Sequence, residues 1–197
     1  MTLSKPIEIG RWWFQNRSLS PLPLFLLLVI LPPDFVPSAT QYALAVTGVL
    51  LAEALRLWAV GYAGSATRTR GDAVPSLVHC GPYRFVRNPL YIANILMYTC
   101  AGVIFGFYYL SIAIFIYSAI QYTFIVRFEE SILEKSFGES YVQYKLKVPR
   151  WFGLTQKVAT SGHEFSLTKS LRSERSTFYS MTAMAILYFV KRAIAGM

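Results

Sequence analysis

Acidic side chains are scarce in this chain, and over one long stretch charge is missing altogether. The 197 residues hold 10 Asp and Glu against 19 Lys and Arg, and charged residues make up 15% of the total. A soluble domain carries roughly 25%. From 88 to 126 there is no charged side chain at all, a run well beyond the roughly 20 residues that one helix needs to cross a bilayer. With 54% hydrophobic residues and a mean hydropathy of +0.41, the composition excludes an ordinary soluble domain and indicates an integral membrane protein. Cysteine and histidine are almost as rare, with two of each. Cys80 and Cys100 give no disulfide framework and no metal-ligand spacing, and His79 and His163 lie far apart. No metal site is expected.

What charge there is has a pattern. Apart from Arg56, basic residues fall before Ser18, between Arg68 and Arg87, and after Val126, while 18–52 and 88–126 contain none. A net charge of +9 distributed this way reads as positive-inside membrane topology and not as a nucleic-acid surface. The length leaves room for one small bundle, so residues 1–197 are taken as a single membrane-embedded domain.

Four spans are predicted in an all-α bundle. The first is expected at 13–31, uncleaved, with Trp12 and Trp13 in the interfacial belt. The second covers 39–63 and carries Glu53 and Arg56, three apart and so on one helical face. A polar connection at 64–87 follows. Asn88 as N-cap and Pro89 as first helical residue start a third span, which ends near Gly102–Gly106. The fourth runs over 109–126. Beyond Glu130 an amphipathic segment stops at Gly138, and a short helix holds Tyr141 and Tyr144. Residues 155–175 read as loop. The apolar stretch 176–190 is expected as an interfacial or packed helix, with a fifth span as the alternative. The C-terminal helical segment, the N-terminus and every charged cluster then lie on the cytoplasmic side of a multi-pass protein.

The charge-free run folds back as a hairpin and juxtaposes its polar ends. Arg84, Arg87 and Arg127 bring guanidinium forks that bind carboxylates or phosphates. Glu129 and Glu130 accept from hydroxyl or ammonium groups or face a sulfonium, and Tyr83 and Tyr91 bring flat faces with a polar tip. A zwitterionic ligand with ribose hydroxyls and an aromatic base suits this set. S-adenosylmethionine fits it, and a nicotinamide nucleotide fits in part. On a regular helix Arg127, Glu130 and Glu134 share a face and Glu129 points away.

These residues also match a family pattern. Gly81, Pro82, Tyr83 and Arg84, then Arg87, Pro89 and Tyr91, then Glu129 and Glu130 resemble the isoprenylcysteine carboxyl methyltransferase family. Its broader group includes phospholipid methyltransferases. Phe137, Gly138, Glu139, Tyr141, Tyr144, Val148 and Pro149 are similar to the segment that follows the acidic pair there. The likeness covers residues 81–150, the expected methyltransferase core. It implies methyl transfer from S-adenosylmethionine to a lipophilic acceptor (a carboxylate, amine or thiol) entering from the bilayer. By that likeness Tyr83, Arg84, Arg87, Asn88, Tyr91, Glu129 and Glu130 hold the cofactor, and Arg127 and Glu130 are catalytic. Two departures stand out: Asn88 replaces the family's His, and Ala93 its small Gly.

Two other readings of the same residues stay open. One is an NADPH-dependent membrane reductase, similar to sterol reductases, though those need further spans. The other is a non-enzymatic membrane scaffold. The residues indicate no nucleic-acid partner and no obligate protein partner.

Overall fold

The computed structural model describes residues 5–64, 76–153, 155–156 and 162–194. Residues 65–75 of the expected connection at 64–87 therefore lie outside the described residues, as does part of 155–175. Among the described residues the chain is all-helical: α1 (Lys5–Gln15), α2 (Leu22–Ile30), α3 (Ala39–Ala63), α4 (Pro89–Ile104), α5 (Tyr108–Phe137), α6 (Glu139–Lys147) and α7 (Leu167–Ile194), with a 3₁₀ turn at Gly81–Arg84. By length and composition two of these, α3 and α5, can cross a membrane, and α4 is a shorter apolar helix.

The first predicted span is not one helix. Asn16, Ser18, Ser20, Pro21 and Pro23 interrupt it, since Pro cannot continue a helix without losing a bond, and α1 and α2 form on either side. α1 lies against α5. Gly10 makes that approach possible, because a Cβ there would sit 2.2 Å from the Phe124 carbonyl oxygen. Trp13 meets Tyr117 edge-on at 5.7 Å.

α3 has the limits expected from the sequence. Ser38 caps it reciprocally with Gln41, so two of the donors that a helix start leaves unsatisfied are met. The hairpin of α4 and α5 turns at Gly106, whose φ of 80° is the left-handed region that glycine enters without strain. The Gly106 carbonyl accepts from the backbone of Asp34 and Phe35, which ties the α2–α3 connection to the hairpin tip. α5 does not stop at Val126. It continues without a break to Phe137 and carries the acidic pair on a rigid helix.

α7 departs from the loop expected at 155–175, whereas over 176–190 it is a packed helix, one of the two forms expected there. It starts at Leu167, inside the stretch read as loop, and packs along α3. Near its start Ser170 donates to the Leu57 carbonyl at 2.6 Å. Near its end Lys191 donates to the carbonyls of Leu28 and Leu31, each at 2.6 Å. The C-terminal helix therefore runs the height of the bundle and forms one of its walls. Polar residues on alternating faces of α7 hid this from periodicity, because their partners lie on other helices.

Candidate active site

A cavity of about 1060 Å³ runs down the middle of the bundle, bounded by α2, α3, α4, α5 and α7 and roofed by the segment 76–91 and α6. Pockets for a single small ligand occupy about 300–1,000 Å³, so this one is at the upper end of that range.

The roof is organised by Glu130. Its carboxylate is buried and accepts from Arg87 Nε at 3.1 Å and Nη2 at 2.9 Å, and from Arg150 Nε at 3.1 Å and Nη2 at 2.5 Å. Arg87 spends its other nitrogen on the carbonyls of Lys145 and Val148 at 2.8 and 2.9 Å, which close the C-terminus of α6. Its own N–H donates to the Pro149 carbonyl. Two guanidiniums on one carboxylate thus bind the start of α4, the end of α5 and the end of α6 into one frame. The hydrogen bond to Glu130 pushes the Arg150 guanidinium up from its ordinary value, so it stays charged.

Glu129 faces the cavity from the other side of the same turn. It is hydrogen-bonded to Tyr91 and lies 3.9 Å from Arg17, whose guanidinium sits over the Phe14 ring at 4.1 Å. Tyr91 stacks on Tyr122 with centroids 4.6 Å apart. Tyr83 lines the cavity nearby, and its carbonyl accepts from the Tyr144 hydroxyl at 2.8 Å. Burial first, then the neighbouring Tyr144, push the Tyr83 hydroxyl well above its ordinary value, so it remains a proton-bearing donor.

Deeper in the cavity lies a second polar hub. Arg56 donates to Glu174 through Nε at 3.2 Å and Nη2 at 2.6 Å, and to the Asn94 amide oxygen. Asn94 donates to the Tyr122 hydroxyl at 3.1 Å. Glu53 stands 3.5 Å from Arg56, the contact expected from their spacing. Glu174 is the closer partner, and it comes from α7.

Of the sequence-predicted site residues, the cavity receives Tyr83, Arg87, Asn88, Tyr91, Glu129 and Glu130. Arg84 is exposed and outside it. So is Arg127, whose guanidinium lies 5.9 Å from the Phe124 ring. The expectation that Arg127 stands beside the reacting centre needs correction, for a reason of helical geometry. At about 100° per residue, Tyr122, Val126 and Leu133 fall between the directions of Glu129 and Glu130. That sector faces inward, and Arg127 lies beyond its edge. Glu129 does not point away, because the α1–α2 turn and α4 wrap that flank. Asn88 does not cap α4 with its side chain; its amide donates to the Arg150 carbonyl at 3.0 Å. Sequence reasoning passed over Arg17, Arg150, Asn94, Tyr122 and Glu174 as site residues. Only Arg150, just after Val148 and Pro149, stood beside a recognisable motif.

This arrangement of an acidic pair, a tyrosine-lined roof and a lipophilic cavity agrees with the comparison to known families. The profile described as phospholipid methyltransferase matches residues 40–140, more than half of the chain. The chain belongs to the phospholipid methyltransferase family. Family members transfer methyl groups at membranes, and the matched region contains α3, the α4–α5 hairpin and both glutamates. α7 and Arg150 lie beyond it. Among curated proteins, the chain is 28% identical over 115 residues to a nickel-cobalt-cadmium resistance protein of Alcaligenes xylosoxydans xylosoxydans, covering 58% of this chain and 51% of that protein. It is 29% identical over 109 residues to a cobalt-zinc-cadmium resistance protein of Cupriavidus metallidurans, covering 55% and 47%. The chain thus spans about half the length of these relatives. No solved structure matches it.

Proposed function

We propose that this chain transfers a methyl group from S-adenosylmethionine to a lipophilic acceptor, at a site opening toward the cytosol. The observation that carries this reading is the division of labour between the two glutamates. Glu130 is saturated by Arg87 and Arg150, whereas Glu129 faces the cavity between Arg17 and Tyr91. The donor set fits the cofactor. Arg17 matches its carboxylate, Glu129 its ammonium or ribose hydroxyls, and Tyr83 and Tyr91 its flat base. When bound, S-adenosylmethionine supplies an electrophilic methyl on a sulfonium centre.

The chain's own contribution is placement. The Arg87–Glu130–Arg150 frame fixes the roof, so that Glu129 and Tyr91 are held before any ligand arrives. The apolar walls below exclude water, and aligned reactants in such a site can gain about 7–11 kcal/mol from positioning alone. No covalent enzyme intermediate is required. For an acceptor that must lose a proton, Glu129 is the cavity carboxylate nearest to hand, in place of the Glu130 suggested by the helical face. The cationic side chains around the roof support a cytosolic orientation through the positive-inside rule.

Titration calorimetry on detergent-solubilised protein tests this with S-adenosylhomocysteine and NADPH as ligands. S-adenosylhomocysteine is expected to bind, and Arg17→Ala to weaken that binding. Tight NADPH binding with no heat from S-adenosylhomocysteine would sink the proposal and favour a reductase.

A further inference from the structure

The lower half of the cavity is apolar and has an aromatic floor. Three of the helices that line it pass from the Arg56 hub to that floor. On α3 the interval is Arg56 to Tyr42, on α7 Glu174 to Tyr188, and on α4 Asn94 to Phe105. The hub ends are joined by hydrogen bonds among Arg56, Glu174 and Asn94. The floor ends are joined by ring contacts: Tyr188 meets Phe105 at 5.3 Å and Tyr42 at 6.2 Å. The Tyr42 and Tyr188 hydroxyls are also hydrogen-bonded, and the Arg192 guanidinium holds Tyr188 from outside at 3.4 Å. Between hub and floor the walls are Val46, Val49, Met97, Ala101, Met181 and Met184. Among the described residues no charged group lines that interval.

Helical rise converts these intervals to a depth. At about 1.5 Å per residue the slot is about 21 Å deep along α3 and α7, and about 17 Å along α4. An extended alkyl chain advances about 1.25 Å per carbon, from a bond of about 1.52 Å opened to about 111°, so this depth takes about 13 to 17 carbons. Methionine side chains, unbranched and adaptable, suit a wall against which a chain must slide.

We propose that the slot binds the single unbranched hydrocarbon tail of the acceptor, and that Tyr188, with Tyr42, sets the longest tail admitted. The head group then lies between the Arg56 hub and Glu129, which is where a methyl acceptor has to be. Its identity as acceptor rests on the methyltransferase reading above; the tail site itself does not. Tyr188 stands on α7, outside the region matched by the family profile, so the length limit belongs to this chain's own C-terminal helix.

Competition binding in amphipol measures the limit without any methyl donor. Saturated primary alcohols of about 10 to 22 carbons, bracketing the slot depth, displace a polyene-chain fluorescent amphiphile. Affinity is expected to rise about fourfold per methylene, the yield of burying one such group, and to stop rising at about 13 to 17 carbons. Tyr188→Ala and, independently, Tyr42→Ala are expected to move that break to longer chains by several carbons. Tyr188→Phe, which keeps the ring, leaves the break in place. Affinity that climbs through the longest alcohol in wild type, or a break that neither alanine variant moves, overturns the proposal. The two readings separate cleanly in the same preparation. A break without S-adenosylhomocysteine binding leaves the tail site standing and removes the methyltransferase reading. S-adenosylhomocysteine binding without a break does the reverse.

Discussion

Replacing each glutamate of the pair by glutamine should produce opposite defects. Glu130 is 5% exposed and sits between two guanidiniums at 2.9 and 2.5 Å. In Glu130→Gln the amide keeps the shape but loses the charge, so Arg87 and Arg150 face each other across a neutral group. Removing one partner of a buried ion pair typically costs about 3–5 kcal/mol, because the remaining charge is left uncompensated. Arg87 cannot retreat to water, since it is also fixed to the carbonyls of Lys145 and Val148. For a chain of this length each kcal/mol shifts the melting point by about 2–4 °C, so a fall of about 6–20 °C is expected. Glu129→Gln is different. The Arg17 guanidinium is 3.9 Å away, and the Glu129 side chain is 30% exposed, so melting should stay close to wild type. What it loses is a charged hydrogen-bond partner for the donor, worth about 1.5–3 kcal/mol, or a drop in S-adenosylhomocysteine affinity of about 10- to 150-fold. Differential scanning fluorimetry and calorimetry on the same detergent samples read both quantities. If Glu130→Gln melts with wild type, the frame does not hold the roof. If Glu129→Gln binds S-adenosylhomocysteine undiminished, the carboxylate roles are reversed.

Two further substitutions test the deeper hub and the outer face. Arg56→Ala and Glu174→Ala should each lower the melting point markedly, and the double variant by less than the sum. A double-mutant cycle should yield a coupling of about 0.5–3 kcal/mol, and additivity would mean that α7 is not held to α3 through this pair. Arg127→Ala removes an exposed side chain with no hydrogen-bond partner in the cavity, so its stability should stay within about 0.5 kcal/mol of wild type. Donor affinity should be unchanged as well; a loss of binding would return Arg127 to the site.

The features visible in the sequence were those with local causes. The uncharged run at 88–126, Pro89 at a helix start and the glycine between two apolar stretches predict the hairpin, because each acts on its own stretch of backbone. The hairpin in turn brings Arg87 to Glu130, and Glu53 finds Arg56 because i,i+3 neighbours on a helix have no choice. The α3 limits followed in the same way from an apolar run bounded by turn residues. The break between α1 and α2 was written there too, in Pro21 and Pro23, although the apolar run around them outweighed it.

The tertiary structure decided which carboxylate meets which cation. Glu129 and Glu130 differ by one residue and about 100° of helix, and only the packing of α1, α4 and α6 around α5 gives one of them two arginine partners and the other an open cavity. The same packing leaves Arg127 outside. It also recruits α7 as a wall: Glu174 sits in a stretch that reads as loop, and Tyr188 in an apolar run read as an interfacial or packed helix, until Arg56, Leu57 and Leu28 are found opposite α7. Contacts of that kind join residues more than a hundred positions apart, and no local spacing encodes them. Composition, periodicity and motif thus determined an apolar helical hairpin with polar ends. The helices that close around it decided which of those ends became framework, which face the cavity, and how deep the space between them is.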